Sequence, residues 1–170
     1  MVASAKEEVA RMARYHGWAT QRLTEAVAAV PDAAYRKECG LFFGSIHGTL
    51  NHLLLTDGEI WYSRFTGGPV TGLPLDGELE TDRALLASRL IAAAARWPAY
   101  VADLDDTALG GELHFITTAG QTRTLPMAAA LLHVFNHATH HRGQVTAALS
   151  MLGVPYPSLD LAFHIFAERS

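Results

Sequence analysis

The stretch from Met127 to Leu152 constrains the fold more than any other part of the chain. Its apolar residues recur at intervals that alternate between four and three, which is the period of a helix buried along one seam. His141 is the one strongly polar member of that seam. The sequence therefore predicts a long buried helix whose seam consists of Met127, Leu131, Val134, Ala138, His141, Val145, Ala148 and Leu152.

A second histidine shares the buried side of this helix. His137 precedes His141 by four residues, so at about 100° per residue the two imidazoles lie about 40° apart and one turn from each other. A single histidine on an apolar face is more often a hydrogen-bonded core residue than a ligand, and that alternative stays open for each of them alone. Two buried imidazoles need partners for their ring nitrogens, and a metal ion can serve both. We therefore expect His137 and His141 to bind a metal.

Composition favours one helical domain. With 170 residues, of which 49% are hydrophobic and 18% charged, the chain is long enough for a single compact domain over residues 1–170 and short for two. Alanine and leucine are abundant, while most glycines and prolines gather at a few breaks. This composition favours an all-α fold.

Charge and sequence signals argue against several classes of partner. A net charge of -4 and a pI near 6.1 provide no basic face for nucleic acid. The amino terminus lacks the apolar core of a signal peptide, and no stretch approaches the roughly 18 apolar residues of a membrane span. Cys39 has no second cysteine to pair with, and we interpret it as a small loop residue. These features predict a cytoplasmic protein that binds neither nucleic acid nor a membrane.

Helical spacing and breaker residues predict four long helices. The first covers about residues 4–30, and the second begins at an N-cap formed by Ser45 and reaches about Phe65. The third covers about residues 81–101. The fourth is the long helix described above, in which Gly143 should cost about 1 kcal/mol relative to alanine. We interpret Gly143 as a point where a neighbouring helix or a ligand comes close.

The connecting segments carry weaker signals. Residues 31–44 are expected to form a connector, and residues 66–79 a long crossover loop. Residues 113–124 are rich in β-branched residues and contain a turn signal, Ala119-Gly120. They are therefore consistent with a small β-hairpin on which His114 is exposed. Residues 160–166 are consistent with a short final helix.

A tight metal site needs a third ligand beyond His137 and His141. His52 is the best candidate, because its predicted helix is apolar almost all round while its own stripe is small and polar. His47 is about 140° away from His52 on a regular helix, so the two cannot face one ion. His16 has no assignable partner, and we interpret it as a surface or partly satisfied residue. The remaining candidates around the site are His133, Glu59 and His47.

Three histidine ligands leave at least one coordination position open, which is typical of a catalytic site. The motif of a zinc metalloprotease would place glutamate after His137, but Ala138 stands there. A ferritin-like di-iron site would need Glu-x-x-His pairs, and the sequence has none. An open position could hold water or a thiolate.

Two motifs resemble those of the DinB-like superfamily. They are the segments 44–57, which reads GSIHGTLNHLLLTD and is followed by Trp61, and 136–144, which reads NHATHHRGQ. Residues 15–19, YHGWA, are similar to the first helix of that family, in which asparagine is commoner at the position of His16. The resemblance extends over nearly the whole chain. It implies a four-helix bundle with up-down-down-up connectivity, often as a homodimer, and a divalent ion, usually nickel or zinc, bound by His52, His137 and His141.

The resemblance also implies a class of reaction. Similar proteins include transferases and isomerases that use low-molecular-weight thiols, so we expect a metal-dependent enzyme of that type acting on a small molecule. Two alternatives remain, which are a metal-dependent hydrolase and a non-catalytic metal-binding stress-response dimer. His133, Glu59 and Arg142 are candidates for supporting the ligands. Arg142 and Gln144 could hold the polar tail of a thiol if the helix presents them near the site.

Overall fold

A computed structural model describes residues 4–169, which form a mostly helical structure with one small antiparallel sheet of two strands. Eight α-helices, one π-helical segment and two strands follow one another along this part of the chain. In order they are α1 (Ala5–Val27), α2 (Asp32–Tyr35), α3 (Ile46–Leu53), the π segment (Leu54–Trp61), α4 (Tyr62–Thr66), α5 (Arg83–Asp103), α6 (Asp106–Leu109), β1 (Glu112–Ile116), β2 (Thr122–Pro126), α7 (Met127–Met151) and α8 (Leu161–Glu168).

Helix α1 begins at a reciprocal N-cap. The Ser4 hydroxyl accepts a hydrogen bond from the Glu7 amide at 3.2 Å, and the Glu7 carboxylate accepts one from the Ser4 amide at 2.6 Å. These contacts satisfy two of the amide groups that a helix start leaves unpaired. The predicted first helix is confirmed, and it ends three residues earlier than expected, at Val27.

The second predicted helix is confirmed as a helical stretch, but its middle is not α-helical. Ser45 caps α3 as predicted, with its hydroxyl accepting from the Gly48 amide at 3.0 Å. The chain then continues through the π segment, whose turns close by i to i+5 hydrogen bonds, before α4 ends at Gly67 with φ 70°. Within this stretch the Thr56 hydroxyl donates to the His52 carbonyl at 2.8 Å, a contact that favours local bending.

A loop of residues 67–82, here called the strap, connects α4 to α5. The side chain of Asn51 binds it through hydrogen bonds. The Asn51 side-chain oxygen accepts hydrogen bonds from the amides of Leu79 at 2.8 Å and Glu80 at 2.9 Å, and its amide group donates to the Glu80 carbonyl at 3.0 Å. Asp82 then caps α5 by accepting from the Leu85 amide at 2.8 Å. The predicted crossover loop is therefore confirmed as a long connection held against α3.

The hairpin and the last two helices follow the sequence prediction. Strands β1 and β2 pair antiparallel, and His114 lies opposite Thr124 with its side chain exposed. Helix α7 begins directly after Pro126, and Gly153, at φ 68°, follows its end. The predicted seam of α7 is buried from Leu131 onwards, whereas Met127 is only half-buried and Leu152 is exposed. The expected connector at residues 31–44 contains the short helix α2.

The long helices pack around a shared core. Helix α1 contacts α5 and α7, and α3 contacts the same two helices. The large apolar side chains at the centre include Trp97, Phe135 and Leu131, which are fully buried. The up-down-down-up order of a four-helix bundle stays a prediction. Within residues 4–169, no helix has both the length and the apolar character needed to cross a membrane.

Two expectations about single residues are wrong. His16 is not at the surface but 4% exposed, because it packs against Phe135 and its Nδ1 lies 3.1 Å from Nη1 of Arg142. Gly143 was expected where a neighbouring helix or a ligand comes close, and the helix alternative is wrong, because a methyl group added there would meet no atom within 4 Å. The close approach occurs instead at Gly58, where such a methyl would lie 3.0 Å from the Ala93 methyl.

Candidate metal centre

The structure brings His52, His137 and His141 together, although they come from two different helices. His52 lies near the end of α3, and the other two lie one turn apart on α7. The Nε2 atom of His137 is 3.2 Å from that of His52 and 3.2 Å from that of His141. One ring nitrogen of each residue lies within 4.8 Å of the others. No other group of three histidine, cysteine or carboxylate side chains in residues 4–169 is arranged this way.

Each of the three imidazoles has an oxygen acceptor on its outer nitrogen. An oxygen of a carbonyl or carboxylate can only accept, so each Nδ1 carries the hydrogen and donates it. The three acceptors are the Leu75 carbonyl at 2.7 Å for His52, the Asp57 carboxylate at 3.1 Å for His137, and the Gln144 side-chain oxygen at 2.8 Å for His141. This arrangement fixes both the ring orientation and the tautomer, as is usual for histidines that bind metals.

The inner nitrogens consequently face one another as lone pairs. Two unprotonated nitrogens cannot form a hydrogen bond, so distances of 3.2 Å between them are unfavourable in the absence of a shared cation. Zinc–nitrogen bonds of about 2.0–2.1 Å in a tetrahedral site place neighbouring ligand nitrogens about 3.3–3.4 Å apart. The histidine group therefore fits a small divalent ion.

Burial keeps these imidazoles in the form that binds metals. Desolvation lowers the pKa of His52 to about 4, although its hydrogen bond to the Leu75 carbonyl opposes that shift. Desolvation also lowers the pKa of His141, against its hydrogen bond to Gln144. Part of the cover comes from Phe43, whose ring stacks on His52 with 3.7 Å between centroids. Near neutral pH these two imidazoles are uncharged and can act as ligands.

Asp57 belongs to the candidate site, although its position in the sequence did not predict this. The residue is 4% exposed, and its Oδ1 accepts from His137. The Thr56 hydroxyl lies 3.2 Å from the same oxygen, although its one hydrogen is closer to the His52 carbonyl. On a regular α-helix Asp57 would point about 140° away from His52. The wider turn of the π segment lets both side chains reach the same imidazole. The signal available in the sequence was its place in the segment 44–57.

Two of the alternative ligand candidates bind elsewhere. The Nδ1 atom of His47 lies 3.2 Å from the Tyr35 hydroxyl, and its Nε2 contacts Glu78 of the strap. Glu59 forms an ion pair with Arg89 at 3.7 Å. Neither residue belongs to the histidine group. The expected separation of His47 from His52 is confirmed.

The remaining candidates lie close to the site without joining it. His133 is exposed, and its ring centroid is 5.9 Å from that of His137. Gln144 orients His141 rather than reaching an external ligand. The expectation for Arg142 is wrong, because its buried guanidinium binds His16 and the Thr139 hydroxyl on the side of α7 that faces α1. It cannot hold a molecule at the three histidines.

An open cavity of ≈ 290 Å³ adjoins the histidine group. His52 and His137 form part of its wall, and Trp61 and Phe115 contribute aromatic surface. Cys39 lies in the turn before α3, where its Sγ contacts the Gly44 carbonyl at 3.7 Å. It does not belong to the histidine group. The site thus combines three nitrogen ligands with space for a small molecule.

Comparison with known proteins identifies the family of the chain. The chain is 23% identical over 166 residues to Protein DinB of Bacillus subtilis (strain 168), an alignment that covers 94% of this chain and 95% of that protein. The model of the DinB family matches residues 1–169, which include both histidine motifs. The chain therefore belongs to the DinB family.

Proposed function

We propose that the protein binds one divalent metal ion through the Nε2 atoms of His52, His137 and His141. The observation that carries this proposal is the convergence of three nitrogen lone pairs whose outer nitrogens are all engaged as donors. Two of the inner-nitrogen pairs, His52–His137 and His137–His141, already lie 3.2 Å apart, close to the separation of neighbouring ligands around one ion. Family membership is compatible with the same assignment.

Nickel and zinc are the ions we propose. Imidazole suits both metals, and the group offers no carboxylate or carbonyl of the kind that magnesium or calcium prefers. When bound, such an ion would supply a positive charge that lowers the pKa of a coordinated water or thiol.

We further propose a metal-dependent enzyme of the thiol S-transferase or isomerase type, acting on a small molecule. Three features support this proposal. The histidine group has three members rather than four, a cavity adjoins it, and Cys39 is engaged elsewhere, so a sulfur ligand would have to come from outside the chain. The residues of the chain would orient that thiol and its co-substrate and keep bulk water away from them.

Metal stoichiometry tests the first proposal. Alanine in place of His52, His137 or His141 should abolish stoichiometric nickel or zinc in protein purified without an affinity tag. His140→Ala is the matched control, because His140 is the exposed neighbour of His141 and belongs to the same helix. Equal loss of metal in all four variants would contradict the proposal.

Spectroscopy of the cobalt-loaded protein tests the thiol. Adding low-molecular-weight thiols should produce a sulfur-to-cobalt charge-transfer band, and the band should be absent from His137→Ala. Consumption of the thiol with electrophilic substrates would then identify the reaction. If no thiol produces the band and none is consumed, the transferase proposal is wrong and a hydrolytic or non-catalytic role replaces it.

We also propose the up-down-down-up four-helix bundle and the homodimer that the family resemblance implies. The contacts of α1 with α5 and α7, and of α3 with the same pair, support the bundle. Sedimentation of the purified protein tests the dimer, and a monomer at micromolar concentration would contradict it.

A further inference from the structure

The cavity beside the histidines contains an arginine with no carboxylate partner. Arg64 lies between two aromatic rings, with its guanidinium carbon 4.6 Å from the centroid of Trp61 and 4.7 Å from that of Phe115. Its one hydrogen bond within the described chain runs from Nη2 to the Ile116 carbonyl at 3.3 Å. Its Nε is buried without a partner.

A guanidinium has five N–H donors, so most of the hydrogen-bonding capacity of Arg64 is unused. Burial lowers the pKa of Arg64, but arginine remains cationic at any physiological pH. Other arginines of the chain, such as Arg14 and Arg83, pair with carboxylates at 2.5 Å and 2.7 Å. The two rings hold the Arg64 guanidinium in place without neutralising its charge.

The chemical character of its wall also distinguishes this cavity from the others. Four other cavities in the described part of the chain each have an aspartate or glutamate in their walls. The wall of the Arg64 cavity has none, although the chain as a whole carries a net charge of -4. It has instead two threonines of the hairpin loop, Thr117 and Thr118, whose hydroxyls can donate hydrogen bonds. The carboxylate of Asp57 is not part of this wall, because it lies behind His137 and accepts a hydrogen bond from it.

We propose that this cavity binds the carboxylate of a small, partly aromatic or apolar molecule. Arg64 would bind the carboxylate, and Trp61 and Phe115 would contact the apolar part. The arrangement puts the rest of the molecule against His52 and His137, so the bound carboxylate orients it towards the metal ligands. The anion site itself requires no metal, whereas its role in catalysis rests on the function proposed above.

Arg96 provides a matched control for Arg64. It too lies over an aromatic ring, with its guanidinium carbon 4.0 Å from the centroid of Tyr62, and it too has a buried Nε without a partner. Its cavity, however, contains the carboxylate of Glu59 and adjoins none of the three histidines. Each arginine also donates one hydrogen bond from Nη2 to a backbone carbonyl, that of Ile116 for Arg64 and that of Gly58 for Arg96, so each replacement by methionine removes one such contact.

The test compares phenylacetate with its neutral isostere phenylacetamide, with binding measured by NMR titration. The protein is first freed of metal by a chelator, because a bound ion would itself attract a carboxylate. We expect phenylacetate to bind at least about tenfold more tightly than the amide, since a charged hydrogen-bonded pair replaces a neutral one. Arg64→Met should remove this preference, and Arg96→Met should retain it.

A conservative variant keeps the inference testable if Arg64→Met does not fold. Arg64→Lys retains the charge but not the planar fork, so it should keep part of the preference. Equal binding of the two compounds to the metal-free wild type, or an undiminished preference in both Arg64 variants, would overturn the inference. Neither result would bear on metal stoichiometry, and a protein without metal but with the anion preference would overturn the proposed function alone.

Discussion

Replacing Asp57 with asparagine should weaken metal binding without destabilising the metal-free protein. Asp57 is buried and accepts a hydrogen bond from Nδ1 of His137 at 3.1 Å, which holds that ring with its other nitrogen towards His52 and His141. The second carboxylate oxygen is buried and has no partner. Asp57 therefore orients one proposed ligand at the cost of burying a charge.

The size of the effect follows from what each substitution removes. Asp57→Asn keeps an oxygen acceptor for His137 but loses the negative charge, so we expect about tenfold weaker zinc binding, or about 1.4 kcal/mol. Asp57→Ala also leaves the His137 Nδ1–H group without its acceptor. For that variant we expect a loss of about 100-fold, or about 2.8 kcal/mol.

The stability of the metal-free protein should increase or stay unchanged in Asp57→Asn, although its metal affinity falls. In the metal-free protein the Asp57 charge is desolvated and one of its oxygens is unsatisfied, so the neutral asparagine should leave the free energy of unfolding unchanged or raised. A variant that merely damaged the fold would lose both metal and stability. Urea denaturation of the chelated protein separates these two outcomes.

Competition with a chromophoric chelator at neutral pH measures the zinc affinity. Glu59→Gln is the matched control, because Glu59 belongs to the same π segment, carries the same charge and pairs with Arg89 instead of a histidine. Its affinity should equal that of the wild type. The reasoning fails if Asp57→Ala binds zinc within about twofold of the wild type, or if Glu59→Gln weakens binding as much.

Four further predictions concern stability. Gly143→Ala should raise the free energy of unfolding by about 0.5–1 kcal/mol, because the added methyl meets open space and alanine favours helix. Gly58→Ala should lower it, since its methyl would lie 3.0 Å from that of Ala93, and urea denaturation compares the two. Asn51→Ala should cost about 2–4 kcal/mol by releasing three hydrogen bonds to the strap, with limited proteolysis then cutting the strap first. Burial lowers the pKa of His16 from 6.5 to about 4, so His16 becomes protonated at a lower pH in the folded state than in the unfolded chain. The contribution of His16 to the stability of the metal-free protein should therefore be complete above pH about 6.5 and be lost towards pH about 4, by up to about 1.4 kcal/mol per pH unit, in addition to that of His52. His16→Asn should reduce that slope, and equal slopes in urea titrations of the two proteins would contradict the assignment.

Much of the fold could be predicted because its signals are local. The cap at Ser45, the stop after α1 and the seam of α7 each depend on residues within one or two turns. Predicting that His52 lies beside His137 and His141 required the further inference that the buried faces of two separate helices contact each other. That step succeeded because each of the two faces carries a buried histidine that reaches the other helix.

The parts that sequence reasoning missed depend on distant contacts or on irregular backbone. The burial of His16 follows from its contact with Arg142, which is 126 residues away in the chain. Gly143 and Gly58 both interrupt helical sequence, and only their surroundings tell which of them is tightly packed. Asp57 was missed because an angle of about 100° per residue does not apply across the π segment.

The π segment also gives the chain one residue more than an uninterrupted α-helix would need over the same distance. Deleting a single residue between Leu54 and Trp61 would let the helix close regularly, and the core on either side could still form. The side chain of Asp57 would then rotate away from His137. A lineage could in this way lose the acceptor behind a metal ligand through one codon deletion, with all three histidines intact. The three histidines alone therefore do not reveal whether a related sequence retains a fully supported site.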